Sequence, residues 1–160
     1  MLLIGVNRSP FTRRVAITLN IYGVPFEQRA LSSFGDRALT PAAGADRRAV
    51  LRVAALMMGA CDKGLYAAYE RNHHPPEKLH QPWIDDCMAQ MTTALAAVEA
   101  MADPAMPYLL LGRLTQADVT AFIAERLARG LGVDTETRMP RLRALARKLA
   151  EEPAFRSTEP

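Results

Sequence analysis

The chain has 160 residues, of which 49% are hydrophobic and 23% charged, with a formal net charge of +3. That is enough apolar material for the core of an ordinary soluble domain. The positive charge is too small and too scattered for a nucleic-acid-binding surface, and no run approaches the ~20 consecutive apolar residues of a membrane span.

Met1 to Val6 reads as a buried strand, a continuous apolar run containing Ile and Val. It has no basic stretch before it and no cleavage-like tail after it, so it does not read as a secretory signal. Asn7, Arg8 and Ser9 form a loop, and Ser9 followed by Pro10 is a helix-start signal, with serine at the N-cap and proline at the first helical position. Val15, Ile17, Leu19 and Ile21 are expected to continue a largely buried helix that ends near Gly23, with Pro25 beyond it. Phe26 to Leu31 reads as a second strand. A strand–helix–strand unit of this kind pairs its strands in parallel.

Ser32 to Gly44 reads as a loop, and from Asp46 the pattern becomes one of long helices. Val50, Val53, Ala54, Met57, Cys61 and Leu65 recur at helical spacing, and the helix ends before His73-His74-Pro75-Pro76. The next helix carries Ile84, Cys87, Met88, Met91, Leu95 and Val98 on one face and stops near Asp103-Pro104. Two such helices joined by a short turn are expected to pack antiparallel. Cys61 and Cys87 both fall on helices. Two cysteines make no disulfide framework, so a reducing cytoplasm is the default location.

Thr115 and Asp118 mark the sharpest helix start. Thr115 occupies the N-cap and Asp118 the third helical position, a capping box with Asp in place of the usual Glu, and Leu114 and Val119 can close over it as a hydrophobic staple. Val119, Phe122, Ile123 and Leu127 are expected to supply that helix's buried face. A last helix runs from about Pro140 to Glu152, with Leu142, Leu145 and Leu149 inward. His73, His74, Glu77 and His80 can be drawn as a metal cluster, but Pro75-Pro76 breaks any fixed i, i+4 face and no metal site is expected. Trp83 is expected to pack between helices.

Three stretches in order resemble the glutathione S-transferase family, in particular its bacterial members with a serine-type N-terminal motif. The first is Asn7-Arg8-Ser9-Pro10-Phe11-Thr12-Arg13-Arg14-Val15, continuing to Gly23-Val24-Pro25-Phe26-Glu27. The second is Leu114-Thr115-x-x-Asp118, and the third Glu152-Pro153-Ala154-Phe155-Arg156. The resemblance covers nearly the whole chain with one break. The family's thioredoxin-like domain continues after its second strand with a helix, two antiparallel strands and a third helix. Here Leu31-Ser32-Ser33-Phe34-Gly35-Asp36 passes almost directly to Ala38-Leu39-Thr40-Pro41, which looks like the linker into the helical domain. The missing elements would need roughly 40 residues.

The resemblance implies a mostly α fold with a small α/β part: a truncated thioredoxin-like βαβ unit at 1–37 and an all-helical C-terminal domain of about five helices at 38–160. It implies glutathione as co-substrate, a hydrophobic electrophile as its partner, and a homodimer. Ser9 would donate its hydroxyl to the glutathione sulfur and so favour the thiolate, the nucleophilic form. On the residues alone, the same serine reads first as a helix cap, and the catalytic role comes only with the resemblance. Phe11 falls beside it in the motif and is placed with it in the glutathione site. Tyr66 and Tyr69, three apart on one helix, are the candidates for the acceptor pocket, with Met57 and Met58 nearby. The family's cis-proline loop and its acidic-residue-and-serine motif, which grip the tripeptide, have no counterpart here. The function implied is that of a glutathione transferase-like protein with impaired activity. The alternative is a non-catalytic protein that uses the same fold for binding or association.

Overall fold

A computed structural model of the chain describes residues 1–4, 10–29 and 38–157, and side chains throughout these except at 10–14. The described chain divides into two compact units, Met1–Arg47 and Arg48–Pro160.

The N-terminal unit is built on β1 (Leu2–Ile4), α1 (Pro10–Ile21) and β2 (Glu27–Arg29). The strands pair in parallel with Leu2 opposite Glu27, Leu3 opposite Gln28 and Ile4 opposite Arg29, as a strand–helix–strand crossover requires. Helix α1 ends in the reciprocal pair of bonds that an αL glycine allows. Gly23 sits at φ +64°, its N–H donates to the Asn20 carbonyl at 3.1 Å, and the Val24 N–H reaches back to Leu19 at 2.9 Å.

The inward face of α1 is not the expected one. Ala16 is its buried residue among the described side chains, whereas Val15, Ile17 and Ile21 are exposed, Ile21 at 74%. Positions 15, 17, 19 and 21 alternate with the period of a strand. At about 100° per residue they cannot share one helix face. Leu2 and Ile4 of β1 are exposed as well. The unit therefore carries uncovered apolar side chains on both its strand and its helix.

The second unit holds the remainder of α2 (Gly44–His73), a 3-10 turn at Pro76–Lys78, then α3 (Gln81–Met101), α4 (Gln116–Gly130), α5 (Thr135–Arg138), α6 (Pro140–Ala150) and α7 (Pro153–Arg156). α2 and α3 run antiparallel. Ala67 shares an apolar cluster with Ile84 and Cys87, the Lys63 ammonium lies over the Trp83 ring, and Gly64 approaches Met91 so closely that an added Cβ would stand 2.8 Å from its sulfur. That close approach explains why buried Gly64, rather than half-exposed Leu65, continues the inward face of α2.

The main core joins α2, α3, α4 and α6 through Val50, Met57, Met91, Leu95, Phe122, Leu142 and Leu149. In α4 the inward face is Ala117, Ala121, Phe122, Ala124 and Ala128, and Ile123 points outward at 51% exposure. Ile123 follows Phe122 by one position and so turns off the buried stripe. Phe155 of α7 packs edge-on to Phe122, with ring centroids 4.9 Å apart, which ties the C-terminal turn to the centre of the unit.

Two carboxylates organise the helix starts. Asp118 accepts from the Thr115 N–H and hydroxyl, each at 2.8 Å, which is the capping box that the sequence announces. Its other oxygen accepts the Leu109 N–H at 2.8 Å and so fixes the preceding loop to α4. α6 has no side-chain cap of its own. Glu99 of α3 takes that place, accepting from the N–H groups of Arg141 at 3.0 Å and Leu142 at 2.9 Å. A carboxylate on two free N–H groups at a helix N-terminus satisfies both donors and meets the positive end of the dipole.

Candidate functional site

Ser9 lies outside the described residues. Pro10, the next residue, opens α1, so the chain starts its helix where a serine N-cap is expected. Phe11 belongs to the first turn of α1, and its side chain lies outside the described set.

Tyr66 and Tyr69 lie on α2 in the helical unit, exposed at 51% and 53%. Their side chains are available to a ligand. Tyr69 also meets the His73 ring edge-on at 5.5 Å, one helical turn further along. The methionines separate cleanly. Met58 is exposed, but Met57 is fully buried in the core and is removed from any acceptor surface. Leu51, Met58, Leu65, Tyr66 and Tyr69 together leave an apolar stripe along the outer side of α2. Trp83 does not pack between helices as expected. It is 43% exposed, with the Lys63 ammonium 5.6 Å from its ring centre. Trp83 stands one position before the buried Ile84, which turns it toward the α3 surface.

The histidines near the 3-10 turn are engaged one by one. His73 Nδ1 lies 3.2 Å from the Tyr69 carbonyl, His74 Nδ1 lies 3.3 Å from Glu70, and the backbone N–H of His80 donates to the same Glu70 carboxylate at 3.1 Å. Among the described residues, no group of three or more His, Cys, Asp or Glu side chains is placed to hold a metal. Cys61 and Cys87 are free and buried. Burial pushes both thiols up from their ordinary value. The Asp62 charge adds to this at Cys61, and at Cys87 Lys63 partly opposes it. Neither is a ready thiolate.

Sequence reasoning missed two polar features, because both depend on partners distant in the chain. One is Glu125, fully buried on α4. It accepts from the Thr135 hydroxyl at 2.6 Å and has the Arg143 guanidinium at 3.7 Å, locking α4, α5 and α6 together. The other is a cavity beside α6 lined in part by Arg141, Lys148 and Asp103. The spacing of seven that sets Arg141 and Lys148 on one helix face is the signal that a sequence carries.

No protein-family model and no curated protein matches the chain. Solved structures do. A glutathione S-transferase from Methylobacterium radiotolerans, in complex with glutathione sulfonate, aligns over 99% of this chain and 94% of its own at 21% identity, with a TM-score of 0.74. One from Methylobacillus flagellatus with glutathione bound aligns over 99% and 98% at 15% identity, TM-score 0.71. A glutathione transferase family member from Pseudomonas fluorescens, also with bound glutathione, aligns over 99% and 98% at 21% identity, TM-score 0.68. At these identities the likeness speaks for the fold, and it runs from one end of the chain to the other. The parallel βαβ unit followed by a helical bundle with a capping box on its central helix is the glutathione S-transferase fold.

Proposed function

We propose that this protein is a glutathione transferase-like protein in which Ser9 stabilises the glutathione thiolate and the grip on the peptide is reduced. The observation that carries the reading is the end-to-end likeness to transferase structures that hold glutathione or its sulfonate. The N-terminal motif supports it, with α1 opening at the residue after Ser9. A hydroxyl at a helix N-terminus stands where the dipole favours an anion. The thiolate would attack a hydrophobic electrophile, forming a carbon–sulfur bond as the leaving group departs. Exposed Tyr66 and Tyr69, with Met58, offer apolar surface for that acceptor. The buried, unbridged cysteines accord with a cytoplasmic location.

Reduced binding follows from the length of the segment between β2 and α2. Residues 30–43 cannot hold the two helices and two strands that complete a thioredoxin-like domain, which need roughly 40 residues. Each lost hydrogen bond to the tripeptide costs about 1–3 kcal/mol, and several together weaken binding by orders of magnitude. Isothermal titration with glutathione tests this. The expected result is a dissociation constant weaker than about 1 mM, with conjugation of an aromatic electrophile weak or absent. Tighter binding that Ser9→Ala abolishes would mean that the site is whole, rebuilt by other residues or by a second subunit.

A second reading, a non-catalytic association module, is favoured by the uncovered apolar side chains of the N-terminal unit: Leu2, Ile4, Val15, Ile17 and Ile21. Exposed apolar patches of this kind mark interaction surfaces. Under either reading we infer a homodimer. Sedimentation velocity across micromolar concentrations should show a species of twice the chain mass, and a monomer throughout would contradict it.

A further inference from the structure

The helical unit encloses a half-open cavity of about 310 Å³ between the loop after α3 and the outer side of α6. This is at the small end of the range of ligand pockets, about 300–1,000 Å³. Its walls are mostly apolar, from Met106, Tyr108, Ala144 and Leu145 among others, and its charged lining residues are Arg141, Lys148 and Asp103.

Both cations have structural duties. The Arg141 guanidinium donates to the Ala102 carbonyl at the end of α3. Lys148 donates to the Pro107 carbonyl at 3.0 Å, with its ammonium 3.9 Å from the centre of the Tyr108 ring. Those duties leave donors over: a guanidinium has five and an ammonium three. Nor are the charges neutralised by contact, since neither side chain has a carboxylate within ion-pair distance among the described residues. Two acids lie close by, and one of them, Asp103, lines the hollow as well. Asp103 turns back to the Ala105 N–H at 2.9 Å, and both oxygens of Glu99 are held by the α6 backbone. An apolar hollow lined by two cations and one carboxylate keeps a net positive charge, and is complementary to a molecule with a short apolar body and one anionic end. Arginine presents a fork that matches a carboxylate.

We propose that this cavity binds a medium-chain monocarboxylate, its tail against Met106, Tyr108 and Leu145 and its carboxylate at Arg141 and Lys148. The described residues that line the site all belong to the helical unit, and its ligand contacts do not involve glutathione. Octanoate is the probe, titrated calorimetrically into the full chain, with octan-1-ol and butyrate as controls for the charge and the tail. Octanoate should bind one to one, and each control should bind at least about tenfold more weakly, the factor for one lost charge-assisted contact or a few buried methylenes. Replacing both cations, Arg141→Gln with Lys148→Gln, should bring octanoate down to the affinity of octanol. Ala144→Phe, at an exposed position facing the hollow, should abolish binding by filling it. No octanoate binding up to about 10 mM would overturn the proposal, as would equal affinity for octanol or binding that survives both variants.

Discussion

Asp118→Ala should lower the stability of the protein by about 3–5 kcal/mol, measured by urea unfolding. The carboxylate is fully buried and accepts three hydrogen bonds, from the Leu109 N–H, the Thr115 N–H and the Thr115 hydroxyl. Truncation leaves two buried backbone donors without acceptors, at about 1–3 kcal/mol each, and removes the cap of the unit's central helix, worth about 0.5–2 kcal/mol. Thr115→Ala should cost less, because the two backbone bonds to Asp118 survive it. Asp118→Glu discriminates further. It keeps the charge but places the oxygens one methylene away, out of register with the three donors of a fully buried site. Equal unfolding midpoints for wild type and Asp118→Ala would remove this carboxylate from the list of stabilising groups.

The capping box was legible because it is local: four consecutive residues supply the donors, the acceptor and the helix that needs them. The same residue's bond to Leu109 was not, nor was the capping of α6 by Glu99, because those partners are set by how α3, α4 and α6 pack. Burial of Glu125 is a stronger case of the same kind. A glutamate at that place reads as surface until Thr135 and Arg143 are brought to it by the turn into α6. Periodicity served the long helices well, since α6, α3 apart from half-buried Met88, and α2 apart from exposed Leu65 bury the residues their spacing indicates. It misled in α1, where apolar residues alternate. There the small Ala16 is inside and larger neighbours are outside.

The candidate site was legible mainly as chemistry. A serine before a proline-opened helix states where an anion is favoured, and α1 does begin at Pro10. Spacing already set Met57 on the apolar face of α2, and it is Met58 that faces out. Met57 and Met58 differ by one position and by the whole depth of the core. The cavity beside α6 was hidden for another reason. Half of its wall comes from a proline-rich loop whose path no periodicity describes, and its cations read as ordinary solvated positions of an amphipathic helix.

Phe155→Ala should be nearly as costly as the loss of Asp118, at about 3 kcal/mol, the low end for a buried phenylalanine because the ring keeps a small exposure. The residue belongs to the four-residue helix α7, far too short to hold itself together. What holds it is the Phe155 ring, edge-on to Phe122 at 4.9 Å and 77°, while the Arg126 guanidinium lies 5.4 Å from the centre of the same Phe122 ring. Truncation therefore does two things. It uncovers Phe122 at the heart of α4, and it frees the last turn, so amide protection at 153–157 should fall even where the remaining helices stay folded. Phe155→Leu separates the two contributions. It keeps most of the apolar burial and loses the aromatic pair, which is worth about 0.5–1.5 kcal/mol, so it should fall between wild type and alanine. A Phe155→Ala protein within about 0.5 kcal/mol of wild type, with its C-terminal amides still protected, would show that α7 is held by something other than this ring.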